Sequence, residues 1–279
     1  MKNRIAIFFL FSIAVLFARA DDFGLWTGVE ASQNLGVKGL SAEAGLGFRA
    51  NNSLKSVDRW SGSLGLNYSP IRHLKFGVGY TYIYAYKQAE TKDNYRNRDN
   101  TWNGYNYTHP YWRSKNRFNV DVKGDIDAGR FNISLRERYQ LTRYNTIHAT
   151  RDRYRFDQVV DENDATIWEL RDGYPETDSD KKGCKTKDYL RSKLEVSYNI
   201  RHCPLTPAVS VELEQNLHDS FHIDEVRYSA GVNYNIIKKK LSLALDYHFC
   251  KGNGDDDDDD IHAVELSLKF KNIFFKPKK

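Results

Sequence analysis

Leu74-Lys75-Phe76-Gly77-Val78-Gly79-Tyr80-Thr81-Tyr82-Ile83-Tyr84-Ala85-Tyr86 is the stretch that decides the fold. Every second side chain (Leu74, Phe76, Val78, Tyr80, Tyr82, Tyr84, Tyr86) is large and apolar or aromatic. Those between (Lys75, Gly77, Gly79, Thr81, Ala85) are small or polar, Ile83 excepted. A period of two describes a strand with two unlike faces. Strands of soluble sheets run about 5–6 residues, whereas a strand tilted across a bilayer needs roughly 9–11. Thirteen residues in one register, closing on four tyrosines, fit a membrane-barrel wall that ends in an aromatic girdle.

The same two-step pattern recurs near 24–33, 39–50, 57–69, 72–86, 112–126, 129–145, 188–201, 207–216, 224–236, 240–250 and 261–270. Examples are Trp60, Leu64, Leu66 and Tyr68 in one segment, and Leu241, Leu243, Leu245, Tyr247 and Phe249 in another. Short connections (34–38, 70–71, 127–129, 202–206, 237–239) alternate with long or polar ones (51–56, 87–111, 146–187, 217–223, 251–260). In outer-membrane barrels the short turns face the periplasm and the long loops face outside. The expectation is an all-β, closed, antiparallel transmembrane β-barrel of about 10–12 strands. The segments number eleven, but bacterial single-chain barrels carry even numbers, so ten or twelve is expected, preferably twelve. The loop classes also make the first strand run downward. Ile167-Trp168-Glu169-Leu170 gives the 146–187 loop room for a hairpin, which would leave the parity unchanged.

The chain starts with the marks of a secretory signal. Lys2 and Arg4 are basic, Ile5 to Phe17 is apolar, and Ala18-Arg19-Ala20 is a small-x-small cleavage site. Residues 1–20 are read as a cleaved signal peptide and 21–279 as one outer-membrane barrel domain. No Cys follows the cleavage site directly, and beyond the signal no apolar run reaches the length of a spanning helix. Eighteen Tyr, fifteen Phe and five Trp accompany a low mean hydropathy, as in barrel walls where only alternate residues meet lipid. The net charge of +5 is spread along the strands and leaves no nucleic-acid footprint. The three cysteines, Cys184, Cys203 and Cys250, read as thiols, with a Cys184–Cys250 bridge as the alternative.

Setting aside the apolar face leaves the candidate lumen. The central strands supply Arg117, Lys123, Arg136, Arg138, Arg191 and Lys193. The later and first strands supply Glu212, Glu214, Asp246, Glu265, Glu30 and Glu43. Asp121, Glu195, Arg227 and Lys269 break this segregation. A basic wall facing an acidic wall either pairs and plugs the barrel, or keeps water between and sets the selectivity of a pore. Eight strands are filled by side chains and sixteen leave a channel. Glu137 does not fit, because it falls in the lipid-facing set with Phe131, Ile133, Leu135, Tyr139 and Leu141. A bulge turning it inward, protonation or a partner protein would relieve it.

Motifs for chemistry are weak. Asp255 to Asp260 offers carboxylates to a hard cation, with Asp255, Asp257 and Asp259 as metal candidates, but the spaced ligands of a defined site are absent and a solvated loop is the simpler reading. His218 and His222 lie four apart in a short loop, where that spacing has no helical meaning for zinc. Asn94 to Trp112 is rich in Tyr, Trp, Asn and Arg. It suits sugar stacking or, more simply, girdle and loop packing. His262 is the one histidine in an outward register, and no serine-centred motif accompanies it. The chain is therefore read as a non-enzyme without cofactor.

Phe23-Gly24-Leu25-Trp26-Thr27, Asp58-Arg59-Trp60-Ser61, Leu74 to Tyr80, Trp112-Arg113, Arg117-Phe118-Asn119-Val120, Arg130-Phe131, Leu135-Arg136-Glu137-Arg138-Tyr139-Gln140, Leu190-Arg191-Ser192 and Asp255 onward resemble, in order, an uncharacterised family of outer-membrane barrels of Gram-negative bacteria, catalogued as a domain of unknown function. The 146–187 loop matches least. The resemblance implies an outer-membrane barrel, with no substrate, cofactor or catalytic residue to carry over. The last strand finishes in an aromatic, Phe270, like the terminal signal of assembled barrels, but Lys271 to Lys279 follow it. The expected partners are outer-membrane lipid, the barrel-assembly machinery and small polar solutes, and the expected place is the cell outer membrane. The leading functional expectation is a narrow porin-like passage. A plugged or loop-displaying scaffold is the alternative, and a lipid-modifying enzyme comes third.

Overall fold

The structure is a computed structural model that describes residues 23–51, 54–96, 98, 100–160, 166–218, 221–238, 240–252 and 260–272. The segment read as a signal peptide and the metal candidates Asp255, Asp257 and Asp259 lie outside the described residues. Apart from one 3-10 turn, Arg171–Gly173, the regular structure is all strand. The chain opens with β1 (Phe23–Asn34), β2 (Leu40–Asn51), β3 (Ser56–Ile71), β4 (Leu74–Lys87), β5 (Glu90–Tyr95) and β6 (Trp102–Thr108). It continues with β7 (Tyr111–Ala128), β8 (Phe131–Tyr144), β9 (Ile147–Val160), β10 (Thr166–Leu170) and β11 (Glu176–Lys182). It closes with β12 (Lys185–Tyr198), β13 (Leu205–Asn216), β14 (His222–Ile237), β15 (Leu241–Gly252) and β16 (Ile261–Lys271).

The described residues fall into two compact units. The first draws on the chain up to Ile83, on Lys115–Arg143 and on Thr186 onward. It is a transmembrane β-barrel of eleven strands, closed in the order β1-β16-β15-β14-β13-β12-β8-β7-β4-β3-β2. These strands are the eleven segments of the two-step pattern, so the expected even count is corrected to eleven. The closure shows how an odd count is possible. The neighbours from β12 to β16 and from β1 to β3 are antiparallel. When each strand reverses the last, the first and last members of an odd ring point the same way. β1 accordingly joins β16 in parallel, from Phe23↔His262 to Ser32↔Lys271. Both run from the long connections toward the short turns. Parallel pairing is slightly weaker per residue than antiparallel, but it leaves no sheet edge open, and lipid tolerates none.

The outer face is greasy and uncovered. Leu46 is 72% exposed, Leu64 65%, Trp60 54% and Val120 53%, which in a soluble protein would be a large patch awaiting a partner. By contrast, the buried apolar cluster among the described residues is small: Trp26, Cys250 and Ala263. The apolar side chains therefore point away from the barrel axis, as a lipid-facing wall requires. Aromatic pairs stiffen this wall, among them Phe48–Trp60 at 4.5 Å and Tyr80–Phe118 at 5.1 Å between ring centroids. Glu137 keeps its outward register. Ser192, the polar member of the outward set of β12, donates a hydrogen bond to Glu137 Oε2 at 2.6 Å, so a side chain of the same wall supplies the relief sought in a bulge or a partner.

The second unit comprises Tyr84–Ser114 and Tyr144–Lys185. Its sheet runs β10-β9-β6-β5. β11 pairs with Ile147–Arg153 of β9 and β10 with Phe156–Val160. The two connections read as loops thus hold five strands, joined where β6 meets β9. Gly104 makes that meeting possible. It sits at φ +134, and a Cβ there would lie 1.9 Å from the Tyr154 carbonyl oxygen.

The parallel seam can be tested by cross-linking. A Cβ on Gly28 would lie 4.0 Å from Ser267 Cβ, within the span of a disulfide. With Cys184, Cys203 and Cys250 replaced by Ser, the Gly28→Cys/Ser267→Cys variant is expected to form an intramolecular bridge on oxidation, seen as a linked peptide pair by mass spectrometry. Failure of that bridge in protein that otherwise folds would place β1 and β16 apart.

Candidate functional site in the barrel lumen

Within the barrel, register decides which side chains meet. The pairs Lys193↔Glu212 and Arg191↔Glu214 across β12 and β13, and Glu212↔Arg227 across β13 and β14, put opposite charges on one inward face. Their partners are lateral, from the adjacent strand or the next but one, and not from opposite walls. Glu212 is the hub: Arg136 of β8 and Arg191 of β12 both donate hydrogen bonds to its carboxylate. Arg227 approaches Glu212 at 3.6 Å, and Arg191 reaches Glu214 at 3.3 Å. Glu212 and Arg191 are buried, as is Gln140, whose Oε1 accepts from Arg191 at 3.4 Å. Removing one partner from such a buried group costs about 3–5 kcal/mol, because it leaves a charge uncompensated.

A second group adjoins through Arg227. Its Nε lies 3.2 Å from Cys250 Sγ, and its guanidinium stands 5.4 Å from the Trp26 ring centroid. Arg49 covers the same ring at 3.7 Å, a cation–π contact in a desolvated place. His248 stacks on Trp26 at 5.0 Å. His248 Nδ1 shares a hydrogen bond with Ser229 Oγ at 2.7 Å, and its Nε2 lies 3.2 Å from Glu265 Oε2. Ser267 donates to the other oxygen of Glu265 at 2.8 Å. Ser229, His248 and Glu265 come from three strands, and no sequence motif links them. The nitrogens are used in the reverse sense from a serine nucleophile, whose hydroxyl bonds Nε2. The group holds the imidazole in place between two strands.

Next to the Glu212 group lies a cavity of about 280 Å³. Its carboxylates are Glu30, Glu43, Asp121 and Glu195, and its cations are Lys75, Lys123, Arg136, Arg138 and Lys193. Most pair locally: Lys75 with Glu43 at 3.2 Å, Arg138 with Asp121 at 2.5 Å, Lys193 with Glu195 at 2.9 Å, and Lys269 with Glu30 at 3.8 Å.

The candidate lumen residues therefore divide. Lys123, Arg136, Arg138, Lys193, Glu30 and Glu43 line the cavity. Arg191, Glu212 and Glu214 form the buried group beside it. Glu265 belongs to the His248 group, and Asp246 lies against Gly231, where a Cβ would come within 1.9 Å of its Oδ1. Arg117 holds the inward register of β7 next to the exposed Phe118. The wall-against-wall field expected from segregated signs gives way to side-by-side pairing, since charges one or two strands apart meet first. Asp121, Glu195, Lys75 and Arg227 complete the pairs, although the sign-segregation rule marks the first two and Arg227 as exceptions.

The remaining chemical candidates have local partners. His218 Nδ1 is 3.6 Å from Asp188, and His222 Nε2 is 2.7 Å from Asp224. His262 Nδ1 shares a hydrogen bond of 2.5 Å with the Tyr247 hydroxyl. All three cysteines are thiols. In the second unit aromatic rings of Asn94 to Trp112 stack across strands on rings of β9: Tyr105 on Tyr154 at 4.6 Å, and Trp102 on Phe156 at 5.4 Å. Rings paired this way cover one another's faces, which is the packing reading of that segment. On the other face of β9, Arg151 grips Asp178 through two hydrogen bonds of 2.9 and 2.8 Å, and Arg153 joins it.

Closed strand pairing, a greasy exterior and a charged interior define the class: a transmembrane β-barrel with a polar lumen. The family model described as "Protein of unknown function (DUF2490)" matches residues 23–260, and the chain belongs to that family. Among curated proteins none matches. Three solved structures are similar in outline. The β domain of the Bordetella autotransporter BrkA is 10% identical, with 89% of this chain and 96% of that chain covered at a TM-score of 0.43. The outer-membrane protease OmpT of Escherichia coli is 14% identical, with 75% and 73% covered at 0.37. Salmonella typhi OmpF in complex with daunomycin is 11% identical, with 81% and 82% covered at 0.22. Scores this low transfer neither a strand count nor an activity.

The carboxylates of β9 and β11 give a pH dependence. Asp178 is held below the usual carboxylate range by its hydrogen bond from Arg151, Asp152 by Thr177 and then His109, and Asp180 by Lys182. A depressed carboxylate contributes stability above its unfolded value of about 4, and that stability is lost as pH falls through the lower folded value. Hydrogen-exchange protection of the β9 and β11 amides, corrected for intrinsic rates, is expected to hold at neutral pH and to fall below about pH 4. Asp178→Asn is expected to lower it already at neutral pH. Equal protection of both proteins at every pH would remove this role from the Arg151–Asp178–Arg153 cluster.

Proposed function

We propose that this protein is a non-enzymatic outer-membrane barrel whose lumen is a narrow passage for small polar solutes. The observation that carries the reading is the cavity of about 280 Å³ lined by nine charged side chains beside the Glu212 group. A barrel that served only as an anchor has no need of a charged, hollow interior. An eleven-strand ring lies between the side-chain-filled eight-strand barrels and the open sixteen-strand porins, which suits a lumen that is partly filled and partly hollow. Charged walls at close quarters select solutes by sign and size. Residues 1–20 are proposed to direct export. The proposed surroundings are outer-membrane lipid outside the wall, with the barrel-assembly machinery as the partner for insertion.

A second reading, a plugged scaffold that displays its connections, is favoured by one observation. The two longest connections are not slack loops but a five-stranded sheet with its own ion pairs and aromatic stacks. A lipid-modifying enzyme is the third reading, and the Tyr247-bonded His262 gives it little support.

Planar-bilayer recording of the purified full chain separates these readings. The passage reading expects steady, ion-selective current, with a larger unit conductance in Arg138→Ser, which trims the cavity wall. A silent membrane containing folded protein contradicts the passage and favours the scaffold. Turnover of phospholipid that depends on His262 would revive the enzyme.

A further inference from the structure

The cavity holds five cations and four carboxylates, and their pairing is uneven. Lys75, Arg138 and Lys193 each hold a lining carboxylate, Arg136 holds Glu212, and Glu30 takes Lys269. Every lining carboxylate thus has a cation of its own. Lys123 makes none of these close pairs. Among the described residues no carboxylate lies within 4.0 Å of its Nζ. The nearby Asp125 is taken up by His73 at 3.1 Å and Asn132 at 3.1 Å. Lys123 is fixed on the inward register of β7, between the outward-facing Val122 and Gly124. It cannot turn to bulk water on the lipid side.

An ammonium group in a partly enclosed site needs a counter-charge or water. Here the lining carboxylates are already paired with other cations, and the surrounding walls concentrate the field of the extra cation. Lys123 is a compact, mobile donor of three hydrogen bonds. Asn67 and Ser134 add neutral polar groups to the same cavity. The ligand that completes this set is negatively charged, small and rich in acceptors.

We propose that the cavity is a binding site for a small oxyanion, of the phosphate, sulfate or short-carboxylate class, with Lys123 as its primary contact and Arg138, Arg136 and Lys193 as its cationic surround. The inference deepens the passage reading, on which it rests, by giving the solute a sign. The anion is exchanged for water within the lumen and no covalent step is involved.

Two measurements on the full chain, folded in detergent and in lipid, test the site and the passage separately. Equilibrium dialysis with radiolabelled inorganic phosphate reads the site. Saturable binding of one phosphate per chain is expected, displaced by sulfate or acetate, weakened about tenfold or more in Lys123→Gln, retained in Lys123→Arg, and unchanged in the surface control Lys38→Gln. The zero-current potential in a potassium chloride gradient reads the passage. Anion preference is expected in the native protein and its loss in Lys123→Gln. Phosphate binding without current supports the site and sinks the passage. Current without phosphate binding, with Lys123→Gln keeping the native potential, overturns the site and leaves the passage standing. Equal phosphate binding by native protein and Lys123→Gln also overturns it. Unheated electrophoretic mobility, which separates folded from unfolded barrels, is checked for every variant.

Discussion

A backbone hydrogen bond left open in hydrocarbon costs several kcal/mol, and that constraint governs this structure more than any side-chain contact. The ring must close. With eleven strands it closes only on a parallel pair, β1 beside β16. The general rule for bacterial barrels is an even count, which arises because chains that start and end on the same side of the membrane make an even number of crossings. Here β1 and β16 run the same way, and the arithmetic changes with them. The parallel seam is thus a consequence of strand number and direction together, and its small cost per residue is offset by sealing two edges.

Once the ring is closed, the period of two sorts chemistry by side. Outward positions carry Leu46, Leu64, Val120 and Leu135, whose exposure would be untenable in water. Inward positions carry glycines, serines and charges. Because neighbouring strands lie about 4.8 Å apart, an arginine reaches the next strand sooner than it reaches the opposite wall. Charge pairing is therefore lateral, around Glu212, Asp121 and Glu43, with a cavity beside the Glu212 group. The same logic accounts for Glu137. An outward carboxylate on β8 is one strand from Ser192 on β12, and the hydrogen bond is made within the wall.

Much of this architecture was legible in the chain. The wall strands follow from alternation at Leu74–Tyr86 and its repeats, because lipid on one side and water on the other impose the period directly. The eleven segments were visible as such. The even-number rule does not hold for this ring, and no residue in the sequence announces that β1 pairs in parallel. The five strands of the second unit were harder to see. None of them carries an apolar face of the wall kind, and β9 reads as a charged loop: Arg151, Arg153 and Arg155 share a face with Asp157, while Tyr154 and Phe156 share the other. Only the pairing with β6 and β11 turns that alternation into sheet. Of the lumen, the inward charges were legible from register. Which of them would meet was not, since that depends on neighbour relations such as β8 beside β12, which are far apart in sequence. The grouping of Ser229, His248 and Glu265 was hidden too, since it rests on the register of three consecutive strands that no motif marks.

The central claim, that lipid tails touch one face of these strands and water the other, is tested most directly by spin-label accessibility in vesicles. Labels placed singly at Asn119, Val120, Asp121 and Val122, and at Val29 and Leu266 on the two sides of the seam, report collision with oxygen in the bilayer and with a water-soluble nickel complex. The account expects oxygen contact at Val120, Val122, Val29 and Leu266, and nickel contact at Asn119 and Asp121. Shielding of the apolar positions from both reagents, as in two sheets packed face to face, would contradict it.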